Sequence, residues 1–228
     1  MILYNTLMGV AAGTALLMVP LLARKLHRQE SIAPEGWALA FGILGLILTF
    51  LSGLMTVTWP LNVNPPINIV FGEPTLVLGL LMQAAAWFMW KRPEVFRNVE
   101  GESLDFLLRV LAPVSWLVFV LGLVLLSCTL AVFRFGFVGA APAEEPISGL
   151  LRNHGWVENS FIGGLYALSA AGTLMAPFAL RDLGGPTARV AGWCMVLSGT
   201  AVLLFSVMNY YTHIGLLVNT LQKTGFRI

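Results

Sequence analysis

The residues best suited to chemistry in this 228-residue chain stand in a few short segments. Ser206, Asn209 and His213 are spaced by three and four, so on a helix they share one face. Glu73 opens an apolar stretch. A carboxylate there is favoured by the helix dipole and can cap free amides, or it can serve as a metal ligand, a proton acceptor or a cation-binding acid. His154 and Glu158 belong to a long polar segment, 134–160, and Asn68 to a Pro- and Asn-rich one, 59–74. His213, His154 and Glu73, with Glu158 beside them, form a nitrogen and oxygen donor set of the kind a divalent transition metal takes, although no HExxH-like spacing accompanies them. The chain has three histidines. His27 falls on the opposite side, which excludes stacked axial pairs for two haems and leaves His154 with His213 for a single haem near the outer face. The competing readings are structural. Tyr210 and Tyr211 suit an interfacial aromatic belt, and His213 a headgroup-level position. The sequence requires no cofactor.

The elements that must hold these residues follow from composition. Hydrophobic residues make up 57% and charged residues 11% of the chain, where soluble domains sit near about 45–50% and about 25%. A soluble globular fold is excluded, and the formal charge of +2 excludes nucleic-acid binding by bulk electrostatics. Crossing a bilayer takes roughly 20 mostly apolar residues. The stretches 2–23, 36–58, 75–90, 106–133, 161–180 and 188–218 meet or approach that length. The chain therefore reads as one all-α integral membrane domain over 1–228, a bundle of six transmembrane helices. The first stretch has no basic segment before it, and Arg24, Lys25 and Arg28 follow it, so it reads as a retained helix rather than a signal peptide. The third is short. The apolar run 67–71 before it is cut off by Gly72 and Pro74, which predicts a re-entrant or interfacial segment.

Charge sorts by side. Arg24, Lys25, Arg28, Lys91, Arg92, Arg97, Arg109, Arg181 and Arg189 fall at one side, and Arg134, Arg152, Lys223 and Arg227 at the other. Positive segments resist translocation, so the sequence places both termini outside the cytoplasm in a plasma (inner) membrane. Small residues recur at helix-packing spacing, as in Gly9 and Gly13, Gly42 and Gly45, and Ala167 and Ala171. Gln83 is the main strongly polar residue near mid-depth, too little for an ion path. Cys128 and Cys194 fall near opposite faces and are not expected to bridge. Pro20, Pro113 and Pro177 lie at similar depth near the inner ends of their spans, where kinks would splay a vestibule.

The segments 59–74, 134–160 and 206–213 thus gather outside, with 147–153 expected as a short amphipathic surface helix. The leading expectation is a non-catalytic membrane subunit or scaffold, whose outward-facing polar pocket at Glu73, Asn68, Asn209, His213, Ser206, His154 and Glu158 contacts a partner or binds a ligand. A small permease or channel gated there is the alternative, and a redox subunit holding haem, metal or quinone is a third. Partners follow from the surface: the lipid bilayer, with other membrane subunits or a second copy. The wording from Trp59-Pro60-Leu61 to Phe71-Gly72-Glu73-Pro74, and Met208-Asn209-Tyr210-Tyr211-Thr212-His213, resembles an uncharacterised family of prokaryotic multi-pass membrane proteins. That resemblance implies a polytopic membrane fold and no activity.

Overall fold

The computed structural model describes residues 3–97, 99–139 and 142–222, without the side chains of Leu3, Tyr4 and Ser148. Lys223 and Arg227, used in the orientation above, lie outside that range. The described residues are helical and contain no strand: α1 (Leu3–His27), α2 (Pro34–Thr58), α3 (Glu73–Lys91), α4 (Pro93–Arg97), α5 (Gly101–Phe135), α6 (Gly155–Leu174), α7 (Ala176–Ala179) and α8 (Pro186–Gln222). Five segments are long and apolar enough to cross a membrane: Asn5–His27, Pro34–Thr58, Asn68–Lys91, Gly101–Phe135 and Pro186–Gln222. Only 22% to 33% of the most apolar window in each is buried. Leu39, Ile43, Leu46, Phe50, Leu54 and Val57 accordingly form one exposed stripe along α2, the pattern of a helix whose outer face meets lipid.

Several boundaries differ from the sequence reading. A π-helical turn, Asn68–Gly72, runs directly into α3, so the third span is a continuous 24 residues and no break separates it from the apolar run before it. Pro74 is accommodated in the first turn of α3, where its fixed φ suits a helix start and the Val70 carbonyl accepts a bond from another helix. The stretch 161–180 is divided instead. α6 begins at Gly155, ends at Leu174, and is followed by the single turn α7 around Pro177. The amphipathic surface helix expected over 147–153 is only a 3₁₀ turn, Ser148–Leu151.

Three antiparallel pairs make the bundle: α2 with α3, α1 with α8, and α5 with α6. α1 joins the first two pairs by touching α2, and α6 joins the last two by touching α8, while α3 and α5 barely meet. Lipid is as apolar as leucine, so close backbone approach has to supply the attraction between helices. Glycine supplies it at each seam. A Cβ on Gly13 would lie 2.6 Å from the Leu203 nitrogen, and one on Gly79 2.6 Å from the Thr49 nitrogen. One on Gly122 would lie 2.8 Å from Thr173 Oγ1. Gly9, as its spacing suggested, sits against Ser206, whereas a Cβ on Gly42 would find ordinary contact at 3.7 Å. Both cysteines are free.

Successive long helices alternate in direction, so α1, α3 and α6 begin at one end of the bundle and α2, α5 and α8 at the other. The first end, which carries the start of α1, the end of α8 and the segments 59–67, 136–139 and 142–154, is called the terminal face. The other carries the short basic connections and is called the basic face.

Candidate functional site

A cavity of about 1920 Å³ runs between the helices. α1, α3, α5, α6 and α8 line it, and α2, set behind α1 and α3, contributes only Phe41. Its wall is built of residues such as Leu78, Met82, Leu111, Val118, Leu165 and Val202. On α1 the lining extends from Asn5 to Arg28, about 35 Å at the helical rise of roughly 1.5 Å per residue. The cavity therefore reaches through the whole apolar core of about 30 Å that a bilayer presents. Gln83 is not on this wall: it packs over Gly45 in the seam between α2 and α3.

At the terminal face the cavity ends among polar groups. Asn5, Asn64, Glu145, Glu158, Ser206, Asn209 and His213 all reach its lining. His213 stands where the sequence placed it, on the same face of α8 as Ser206 and Asn209. Its Nδ1 is 2.8 Å from Thr6 Oγ1 on α1, and its Nε2 is 3.5 Å from Glu145 Oε1. Glu145 is 8% exposed, in the segment connecting α5 to α6. Burial pushes its carboxyl above the usual carboxylate range, the Thr212 hydroxyl bonded to it pulls it back, and the nearby charge of Glu158 pushes it up again. Thr6 and Thr212 are buried. Asn5 Oδ1 is buried with no hydrogen-bond partner among the described residues, an acceptor that a ligand hydroxyl can meet.

The segments 136–139 and 142–154 close over this mouth as a lid. Pro142, Glu145, Ile147 and Leu151 line the cavity from it. Its root is held by Asn159, whose Oδ1 accepts from the Val138 and Gly139 nitrogens at 3.0 and 3.2 Å and whose Nδ2 donates to the Gly136 and Gly155 carbonyls. Asn219 Nδ2 donates to the Glu144 carbonyl at 2.9 Å, and Pro146 seats against Gly215. Asn64 Nδ2 donates to the Phe137 carbonyl at 2.6 Å, tying the 59–67 segment to the lid.

The remaining sequence-selected residues fall elsewhere. Asn68 is fully buried and folds the 61–68 turn onto itself, exchanging bonds with the Leu61 backbone and donating to the Pro65 carbonyl. Glu73 and His154 are exposed and do not line the cavity. No cluster of three His, Cys, Asp or Glu suited to a metal ion forms among the described residues, so His213, His154 and Glu73 do not converge as a donor set. Sequence reasoning passed over Thr6, Glu145, Asn159 and Tyr166. For Thr6, Glu145 and Tyr166 only partners far along the chain give them a role.

The opposite mouth is basic. Arg24, His27 and Arg28 at the end of α1 and Arg189 in the first turn of α8 line it. Among the described residues none of the three arginines is in an ion pair, while Lys25 is held by Glu30 at 2.7 Å. The arginines around it and the Lys25 ammonium keep the Glu30 carboxyl below its usual range, with the Lys25 hydrogen bond the largest cause.

No curated protein and no solved structure matches the chain. Its sequence over residues 1–215 matches the family described as "Protein of unknown function (DUF981)", and the chain belongs to that family.

Proposed function

We propose that this chain is a six-span plasma-membrane protein that holds an amphiphilic ligand in its central cavity, acting as a binding component and not as a catalyst. The observation carrying this reading is the cavity itself. At about 1920 Å³ it exceeds the roughly 300–1,000 Å³ of ordinary small-molecule pockets, its wall is mostly apolar with the hydroxyls of Ser115, Tyr166, Ser169 and Thr173 set into it, and its charged groups stand only at its ends. The Ser115, Tyr166 and Thr173 hydroxyls are spent on backbone carbonyls, so an ion would find no charged partner along such a wall, which weighs against an ion channel. An acyl or prenyl chain fits its length and its chemistry. In this reading α6 with α7 forms the sixth span, the basic face is cytoplasmic by the positive-inside rule, and the lid lies outside.

The test is retention of a ligand. Protein purified in mild detergent is extracted with organic solvent, and the extract is compared with that of the double variant Ala12→Phe, Ala85→Trp, which fills the cavity from α1 and α3. Co-purified amphiphile is expected with the native chain and lost from the variant, with helical content equal in both. Equal retention in a folded variant would overturn the proposal. Orientation is read by an impermeant maleimide, which should label Val63→Cys and spare Ala33→Cys in intact cells.

A further inference from the structure

The two mouths of the cavity differ in charge, and that difference specifies the ligand. The terminal mouth presents Glu145 and Glu158 with Asn5, Asn64, Asn209 and His213, a lining with no arginine or lysine among the described residues to hold an anion. The basic mouth presents Arg24, Arg28 and Arg189 with His27. At this face Glu30 is engaged by Lys25 at 2.7 Å, and Asp182 accepts a bond from the Gly184 nitrogen at 3.2 Å within its own turn. Among the described residues none of the three arginines is in an ion pair. They come from the end of α1 and the first turn of α8, two helices that pack side by side, and all three reach the cavity lining at this end. The start of α8 adds the positive end of its helix dipole at the same place. Guanidinium forks match phosphate oxygens in pairs, and behind them the wall turns apolar at once with Leu22, Leu26, Leu104 and Leu107.

We infer that the ligand is a phosphate-headed lipid of the surrounding bilayer, bound with its head among Arg24, Arg28 and Arg189 and its tails along the cavity toward the lid. This rests on the cavity being a ligand site, and it adds the head chemistry and the direction in which the ligand lies. The α3–α5 side, where the helices barely meet, gives tails a lateral way in from the membrane without carrying the head across it.

The test compares dioleoyl phosphatidic acid with dioleoylglycerol, which has the same tails and no phosphate, each carrying a photoactivatable group in its tail. The native chain and the triple variant Arg24→Gln, Arg28→Gln, Arg189→Gln are reconstituted in phosphatidylcholine nanodiscs, and crosslinks are mapped by peptide mass spectrometry. Phosphatidic acid is expected to label cavity residues such as Met82, Leu111 and Val202 more strongly than dioleoylglycerol, by about fivefold for each arginine engaged. The Gln variant loses that preference while dioleoylglycerol labelling stays, and a triple Lys variant, which keeps the charge, recovers most of it. Helical content and maleimide labelling at Val63→Cys verify fold and orientation in each variant. Equal labelling by both lipids overturns the head assignment and leaves the ligand site standing. Phosphatidic acid labelling confined to lipid-facing residues such as Phe50 and Leu46 overturns it as well, since the arginines then act only as a surface charge. Absence of cavity labelling by either lipid overturns the ligand site itself.

Discussion

The Tyr166 hydroxyl of α6 donates to the Val70 carbonyl at 2.8 Å, and Pro74 explains why. In a regular helix that carbonyl would receive the N–H four residues on, which at Pro74 does not exist. Tyr166 supplies the missing donor from another helix, and its ring stacks on Phe71 with centroids 6.3 Å apart. One side chain thus completes the irregular start of α3 and joins the two halves of the bundle at the terminal face.

Tyr166→Phe keeps the ring contact and removes the donor. The Val70 carbonyl is left unpaired in an apolar setting, and the expected loss is about 1–3 kcal/mol. Thermal unfolding in detergent measures it. An unchanged Tm would mean that water or lipid replaces the hydroxyl there.

Glycine substitutions separate tight seams from loose ones. Gly13→Val and Gly79→Val each drive a side chain into backbone, so each should cost about 1–3 kcal/mol or more and shift helix pairs apart. Gly42→Ala, whose Cβ finds open contact at 3.7 Å, should leave the Tm unchanged.

The lid should loosen with rising pH. Burial raises the Glu145 carboxyl, so the folded lid favours its protonated form. That contribution is complete below the ordinary carboxylate value of 4.5 and is lost as pH climbs through the raised one. His213 from α8 and Glu158 from α6 face the same carboxyl. Protection from hydrogen exchange across residues 142–151, taken relative to the base-catalysed intrinsic rate, should therefore fall above that range in the native chain and stay flat in Glu145→Gln. Parallel behaviour of the two would show that another group governs the lid.

A disulfide should lock the lid shut. A Cβ on Gly215 stands 3.7 Å from the Pro146 Cβ, within the spacing of about 3.5–4.5 Å that a disulfide needs. With Cys128 and Cys194 replaced by Ala, the pair Pro146→Cys, Gly215→Cys should oxidise readily, as read by a mobility shift on reduction. Because tails enter between α3 and α5, the oxidised form should exchange labelled amphiphile as fast as the reduced one. Slower exchange on oxidation would place the route through the lid instead.

The helical fold and five of the six apolar stretches are legible in the sequence, because a shortage of charge and runs of roughly 20 apolar residues are what a hydrocarbon core demands of a helix that crosses it. His213, Ser206 and Asn209 could be seen as one polar face from their spacing alone. Their partners could not: Thr6 lies 207 residues from His213, and no local pattern connects them. Asn68 and Glu73 look equally functional in the chain, yet one is consumed by the backbone of its own turn and the other faces outward. The cavity was invisible for a simpler reason. Leucines that line a lumen and leucines that face lipid are the same residue, and only the arrangement of helices distinguishes them.

The pairing of α1 with α8 also bears on how the chain is made. α2 with α3 and α5 with α6 are neighbours in sequence and can associate as soon as each hairpin enters the membrane. α1, which is made before the other described helices, packs along α8, which follows them, through Gly9, Gly13 and Thr6. Until α8 is inserted, that small-residue face has only lipid beside it, and the bundle stays unclosed. Chains truncated before Pro186 should accordingly insert and yet be cleared by quality-control proteases, with the N-terminal helix as the exposed signal of incompleteness.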